Sequence, residues 1–391
     1  MKVAVVGQGY VGLPLAIAAA NAGHEVVGVD INDALVARLN AGESPIGDIA
    51  SASITAVLDS SYSVTTDFGV IRDCSVVVLC VPTPLDEARN PDLAPLTAAL
   101  ESVASHLAAG SLVIVESTVS PGSTRKLAAP ILDKAGIAYE LAYSPERIDP
   151  ANKNWNVTNT PKLVAGITES ARDKAVEFYS SFVSQVHTAS SVEVIETAKL
   201  LENSFRLVNI SFINEIAAFC AKLGIDVREV IEAAATKPYG FMPFYPDAGV
   251  GGHCIPVDPS YLLATATEVG APMRFIELAN EVNLSLPSYF VGVAQGMLGS
   301  LSGRKVLVVG IAYKPDVSDL RESPALPLIS LLRGAGAEVS WHDDLVGSWN
   351  GESSTPLASG YDLAILVNPH TGVDLGLLGD AKVLNTRGAH A

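Results

Sequence analysis

Short apolar runs alternate along this chain with longer stretches in which apolar and polar positions recur at helical spacing. Lys2-Val3-Ala4-Val5-Val6 is the first run and Glu25 to Asp30 the second. Between them lies an Ala-rich helical stretch from about Leu13 to Ala22, with Gly23 as its stop. A strand, a helix and a strand of these lengths make a parallel crossover. Val76–Val81 and Leu112–Glu116 are further continuous apolar runs, which extend the same sheet with both faces covered. Residues 1–190 thus predict one doubly wound α/β domain.

The period changes near residue 192. From Val192 to Leu223 the pattern is helical, with no Gly or Pro until Gly224. A second helical stretch runs from about Met273 to Leu298, where Pro287 predicts a kink or break. Residues 191–300 predict an all-helical connector. At Gly303 the strand pattern returns. Arg304 to Gly310 echoes the opening of the chain, and Leu328–Arg333, Glu338–His342 and Leu363–Val367 repeat the helix-turn-strand rhythm. The Ser- and Gly-rich stretch 347–360 predicts a loop. Residues 301–391 predict a second, smaller α/β domain.

Composition narrows the function. The chain has 391 residues, 49% of them apolar, enough for two or three domains with large cores. Its net charge of −17 argues against general affinity for nucleic acid or anionic membrane. An anionic substrate then needs a local basic pocket. The apolar stretch Leu13–Ala20 is better explained by a strand-turn-helix than by a signal peptide. No run of eighteen clean apolar residues predicts a membrane span. The four cysteines, Cys74, Cys80, Cys220 and Cys254, match no zinc spacing and suggest no disulfide framework. No metal is expected, and a reducing cytoplasm is. Cys74, Cys80 and Cys220 read as small core hydrophobes.

Gly7-Gln8-Gly9-Tyr10-Val11-Gly12 fits G-x-G-x-x-G between the first strand and its helix. The first glycine permits a tight turn, the second a close approach of backbone to pyrophosphate, and the third close helix packing. The helix N-terminus then offers free N–H groups to phosphate. Asp30 ends the second strand, eighteen residues after Gly12. A carboxylate there binds a ribose 2′-hydroxyl and repels a 2′-phosphate, which favours NAD over NADP. The expected fold is therefore α/β, with two Rossmann-like doubly wound parallel-sheet domains joined by a long central helix. Thr83 and Thr118 follow later strands, where they either touch the cofactor or the reacting hydroxyl or serve as turn and cap residues.

Residues 249–258, Gly-Val-Gly-Gly-His-Cys-Ile-Pro-Val-Asp, place Cys254 in a flexible, tightly turned backbone. A lone cysteine is more often structural, but this setting beside a dinucleotide cradle favours a nucleophile. Glu196, Lys199, Asn203 and Arg206 share one helical face. Such a stripe is either solvated or the wall of a polar cavity. The absence of further charge until Glu215 favours the cavity, where a lysine stabilises a developing oxyanion. In Ser144-Pro145-Glu146-Arg147, Glu146 is placed to activate water and Arg147 to pair with phosphate or carboxylate; in isolation the segment reads as a surface loop.

At these residues the sequence resembles the nucleotide-sugar 6-dehydrogenases, the UDP-glucose/GDP-mannose dehydrogenase family. The resemblance covers nearly the whole chain and includes Val81–Pro84, Ser117–Val119, Lys314-Pro315-Asp316 and Asp319–Pro324 beside the segments above. Ser-Pro-Glu-Arg resembles the N-acetylhexosamine branch, where UDP-glucose enzymes carry Asn-Pro-Glu-Phe. Ile148–Asn152 and Lys237–Pro246 look most like the UDP-N-acetylglucosamine enzymes, with the mannosamine enzymes as close relatives. Val367-Asn368-Pro369-His370 departs from the family's Thr-Asp-His signal.

The resemblance implies a four-electron oxidation at C6 of a UDP-sugar by a homodimer or higher homo-oligomer, with Cys254 attacking the C6 aldehyde. Lys199 and Asn203 would stabilise the oxyanion and orient the sugar, Glu146 would assist thioester hydrolysis, and Thr118 and Asp258 would hold a water. Arg147, Arg206, Tyr245, Gly252 and Lys314 would help hold the UDP-sugar. Gly7, Gly9, Tyr10, Val11, Gly12, Asp30, Thr83, Thr118 and Arg321 would hold NAD. The rivals are UDP-N-acetylmannosamine or UDP-glucose as substrate, a one-step hydroxy-acid dehydrogenase, and a redox-sensing NAD-binding regulator without catalysis.

Overall fold

The computed structural model describes residues 1–47 and 49–388. Eight strands build the larger sheet: β1 (Lys2–Val6), β2 (Glu25–Val29), β3 (Tyr62–Thr65), β4 (Val76–Leu79), β5 (Leu112–Val115), β6 (Glu140–Tyr143), β7 (Lys162–Gly166) and β8 (Val186–Thr188). Their order is β3-β2-β1-β4-β5-β6-β7-β8. Successive residues of β1 serve opposite faces. Val3 and Val5 join one core layer with Leu13 and Phe178, and Ala4 and Val6 join the other with Leu100 and Leu132. Burial on both faces is why the strands read as unbroken apolar runs.

The chain steps outward from β1 to β3, then returns to the other side of β1 at β4. The connections diverge between β1 and β4, and in open parallel sheets ligands bind beyond the carboxyl ends of the strands at such a point. The sheet is parallel except that β7 runs antiparallel to β6. The segment between them turns back without crossing the sheet, so β7 begins at the carboxyl end of its neighbours. That reversal brings Lys162, its first residue, to the functional edge.

The smaller sheet has β9 (Lys305–Val309), β10 (Glu338–His342), β13 (Leu363–Leu366) and β14 (Lys382–Asn385), ordered β10-β9-β13-β14 and all parallel. The stretch 347–360, expected to be a loop, contains a hairpin of β11 (Ser348–Trp349) and β12 (Glu352–Ser353). Asn350 and Gly351 have φ of 51° and 79°, the left-handed pair a two-residue hairpin turn requires. The Asn-Gly dipeptide was the available signal. Glu352 fastens the hairpin to β10, accepting hydrogen bonds from Arg333 at 2.7 Å and from Trp341 Nε1 at 3.2 Å.

The long helix spans Val192–Leu223, 32 residues, and Gly224 follows it at φ 69°. Glu193 in its first turn and Lys222 in its last complement the helix dipole. Val194, Leu201, Phe205, Phe212, Phe219 and Leu223 are exposed along it. A second helix, Arg274–Leu298, continues through Pro287 without a break. Proline deprives the Asn283 carbonyl of its helical donor. The Asn283 side chain meanwhile bridges to another segment, accepting from Val250 N at 2.7 Å and donating to Val250 O at 3.3 Å.

By compactness the chain divides into two units. One comprises Met1–Leu201 with Ser260–Gly270, and the other Glu202–Pro259 with the chain from Ala271 on. Among the described residues no helix is long and apolar enough to cross a membrane.

Candidate active site

The glycine turn follows β1 directly. A Cβ on Gly7, at φ +90°, would stand 2.6 Å from the Cys80 carbonyl oxygen, and one on Gly12 would stand 1.8 Å from the Gly7 oxygen. The chain's own packing therefore demands glycine at both positions. At Gly9 a Cβ meets nothing within 4 Å. The space over Gly9 at the start of helix Gly12–Asn21 is what close approach of a pyrophosphate needs.

Asp30 is held at the end of β2. Its Oδ2 accepts from Gln8 N at 2.8 Å and its Oδ1 from Asn32 N at 3.0 Å. Gln8 is fully buried and donates through Nε2 to Val5 O at 2.8 Å, while Tyr62 OH donates to its Oε1 at 2.8 Å. Burial and the nearby Asp30 keep the Tyr62 phenol protonated far above its usual range. Gln8 and Tyr62 were not legible as site residues, because Gln8 occupies a free position of the motif and Tyr62 a distant strand. These residues fit NAD, with the helix N-terminus for phosphate and an oriented carboxylate for ribose.

Thr83 and Thr118 follow β4 and β5, both half-buried. The Thr83 carbonyl accepts from Tyr261 OH at 3.0 Å. Ser117, beside Thr118, donates from its hydroxyl to Val81 O at 2.7 Å, so the two loops are tied together.

In the second unit Gly251 and Gly252 are required by contact. A Cβ on Gly251 would stand 2.7 Å from the Glu322 oxygen, and one on Gly252, at φ +88°, would stand 2.8 Å from the Tyr313 ring. Gly252 N donates to Arg321 O at 2.9 Å. Arg321 is exposed, bound to Asp319 Oδ2 at 2.5 Å, and stands 3.3 Å from His253 Nδ1. Motifs far apart in sequence are thus one packed turn.

Cys254 leaves this turn at the head of helix Asp258–Glu268. Its carbonyl accepts from Asp258 N at 2.8 Å, the first bond of the helical ladder. A helix N-terminus favours a thiolate. Cys254 is partly exposed, while Cys74, Cys80 and Cys220 are buried. Burial pushes the Cys74 thiol up to about 11 and Cys80 well above the usual value.

Asp258 is fully buried, and its Oδ2 accepts from Asn203 Nδ2 at 2.5 Å. The polar helical face divides. Glu196, Lys199 and Asn203 are buried, and Arg206 is exposed. Glu196 is occupied as a cap, accepting from Gly122 N at 2.5 Å and from Thr124 N at 2.9 Å. Arg206 and Tyr245 are exposed, the latter with the Arg228 guanidinium 5.7 Å over its ring; Lys314 is half-buried.

Glu146 lies in the first unit, beyond β6. Its Oε1 accepts from Arg147 N at 2.5 Å and also from Ile148 N. Arg147 Nη1 donates to Pro161 O at 2.7 Å. Behind Glu146 is a buried ionic cluster that sequence reasoning missed. Lys162 Nζ stands 2.9 Å from Glu116 Oε2 and 3.7 Å from Glu146 Oε2. Tyr179 OH donates to Glu116 Oε1. Burial alone lowers the Lys162 ammonium, but Glu116 and Glu146 more than offset it. Burial holds the Glu116 carboxyl above its usual range against the pull of Lys162. Among the described residues no group of His, Cys, Asp or Glu gathers as a metal site.

Three segments match the three domains of one family. Residues 1–183 match the NAD binding domain of the UDP-glucose/GDP-mannose dehydrogenase family, residues 193–285 its central domain and residues 307–376 its UDP binding domain. The chain belongs to this family, whose members are NAD-dependent nucleotide-sugar dehydrogenases. It is 36% identical to the UDP-N-acetyl-D-glucosamine 6-dehydrogenase of Pseudomonas aeruginosa, over 95% of this chain and 91% of that protein. It is 33% identical to the UDP-N-acetyl-D-mannosamine dehydrogenase of Pyrococcus horikoshii, over 95% and 90%. The solved Pyrococcus horikoshii UDP-D-ManNAc dehydrogenase superposes with a TM-score of 0.90 at 31% identity, covering 99% of this chain and 95% of that one. A UDP-glucose dehydrogenase from Pyrobaculum islandicum superposes with a TM-score of 0.92 at 27% identity, covering 99% and 94%. The readings as a hydroxy-acid dehydrogenase and as a non-catalytic regulator are set aside.

Proposed function

We propose that the protein oxidises a UDP-N-acetylhexosamine, UDP-N-acetylglucosamine before its mannosamine epimer, at C6 to the uronic acid through a covalent thioester on Cys254. The observation that carries this reading is the setting of Cys254. It is the one partly exposed thiol among the four cysteines, at a helix N-terminus, on a turn where packing requires Gly251 and Gly252. Bound NAD supplies the hydride acceptor for both oxidations. Gly7, Gly9, Tyr10, Val11, Gly12, Asp30, Thr83, Thr118 and Arg321 would hold it.

The first oxidation converts the C6 alcohol to an aldehyde, with loss of a hydride and a proton. Thr118 and Asp258 would hold the water that takes that proton. The Cys254 thiolate adds to the aldehyde carbon, and Lys199 and Asn203 stabilise the resulting oxyanion. Loss of a second hydride from C6 leaves the thioester. Water, deprotonated by Glu146, forms the new C–O bond, and the C–S bond breaks to return the thiolate. Covalent capture keeps the aldehyde from leaving between the two oxidations. Arg147, Arg206, Tyr245, Gly252 and Lys314 would anchor the UDP-sugar, whose charge fits their cations.

The chain would act as a homodimer in the cytoplasm, with domains at 1–190, 191–300 and 301–391. The exposed apolar row on the long helix supports the dimer, since such a row in water favours a partner helix. Light scattering at micromolar concentration tests it, and a monomer mass would refute it. The test of function is a panel of UDP-glucose, UDP-N-acetylglucosamine and UDP-N-acetylmannosamine with NAD. The reading requires two NADH per uronate and no free aldehyde. One NADH per sugar with aldehyde released refutes the thioester, and a preference for the mannosamine epimer refutes the glucosamine assignment.

A further inference from the structure

We propose that Lys162 is a positioning residue for thioester release, holding the Glu146 carboxylate from behind while the Glu116–Tyr179 pair fixes Lys162. This rests on the reading of Glu146 as the base that activates water.

The geometry follows from the reversal of β7, which pairs antiparallel with β6. Ala142 pairs with Gly166 and Tyr143 with Ala165. Extended three residues further, that register sets Glu146 opposite Lys162. A β7 running in the common direction would start at the other end of the sheet. The Lys162 side chain is 8% exposed, and lysine is rarely so buried unless its charge is paired. Its ammonium lies between two carboxylates, Glu116 at 2.9 Å and Glu146 at 3.7 Å, and 5.1 Å over the Tyr179 ring.

The two carboxylates differ in freedom. Glu116 is 1% exposed, at the end of β5, with Tyr179 on its other oxygen, so it is a fixed counter-charge. Glu146 is on the less buried side, its side chain 15% exposed. Two backbone N–H groups hold its Oε1, and Lys162 faces its Oε2. A base gripped at one oxygen by amides pivots about that oxygen; a cation beside the other ends the pivot. The cluster is largely buried and prebuilt, as a water-activating carboxylate needs to be.

The experiment compares Lys162→Met, Glu116→Gln/Lys162→Met, Lys162→Arg and Glu146→Gln. Each is mixed with NAD and the UDP-sugar that the panel selects, then quenched for intact mass and assayed at steady state. A Lys162→Met chain leaves Glu116 buried without its cation and is expected to lose stability. The double variant removes both charges and keeps the fold. The expected result is a covalent sugar adduct on most chains of Glu146→Gln and of the double variant. The double variant should lose at least tenfold in kcat with KM within about threefold of wild type, because release and not binding is slowed. Lys162→Arg should regain at least half of the rate. A folded double variant that releases uronate at the wild-type rate without adduct overturns the role of Lys162 and leaves Glu146 untouched. No adduct in Glu146→Gln overturns the reading of Glu146 itself, and the proposal falls with it.

Discussion

Asn203 and Asp258, 55 residues apart in sequence, meet through an amide-to-carboxylate hydrogen bond of 2.5 Å in which both groups are buried. It ties the long helix to the first turn of the helix that Cys254 heads. A hydrogen bond to a charged group contributes about 1.5–3 kcal/mol, and a buried carboxylate that loses its donor costs more than the bond was worth. Asn203→Ala should lower the denaturation free energy by about 1–3 kcal/mol and reduce kcat at least tenfold. An unchanged urea midpoint would show that the contact carries no stability.

Two glycines of the cradle separate folding from binding. Gly12→Ala forces a Cβ into the Gly7 carbonyl and should yield little folded protein. Gly9→Ala meets only open space, so its melting temperature should stay within a few degrees of wild type while NAD affinity falls at least tenfold. Calorimetric titration with NAD checks this; wild-type affinity in Gly9→Ala would place the pyrophosphate elsewhere.

Thiol labelling reads out the four cysteines. Cys254 is partly exposed at a helix start, and burial keeps Cys74 and Cys80 protonated. Brief exposure of native protein to iodoacetamide near pH 7 should add one label per chain, at Cys254, and none in Cys254→Ser. That variant should bind NAD normally and lose more than a hundredfold in turnover. Labelling at Cys80 instead would mean that the sheet edge is open.

His24 predicts a pH effect on stability. Its Nε2 lies 2.7 Å from Ser181 Oγ and its ring packs on Phe178. Burial, aided by the amino terminus, lowers its pKa from 6.5. The folded state therefore favours neutral imidazole, and the unfolded chain binds the extra proton. Its contribution is complete above about pH 6.5 and shrinks as pH falls below that value. Urea midpoints for wild type and His24→Gln should converge between pH 7 and pH 5. A gap that stays constant would remove His24 from the pH dependence.

Local regularities were legible from the sequence. Strands covered on both faces are apolar throughout, so β1, β2, β4 and β5 were readable as unbroken runs. The long helix was readable because no Gly or Pro interrupts it before Gly224, and the glycines at 7 and 12 because backbone contact leaves no alternative. The Ser- and Gly-rich composition of 347–360 predicts a loop, whereas the Asn350-Gly351 dipeptide forms a hairpin turn there; the helix through Pro287 is continuous, which local apolar period alone does not decide.

The chain's own order of residues therefore determined which elements form and which positions need glycine, because backbone propensity and apolar period are local properties. Only the folded arrangement decided that β7 reverses, that Lys162 sits between Glu116 and Glu146, and that Asn203 finds Asp258. Those pairings depend on strand direction and on the burial of charge, which are settled when distant segments share one core and not before.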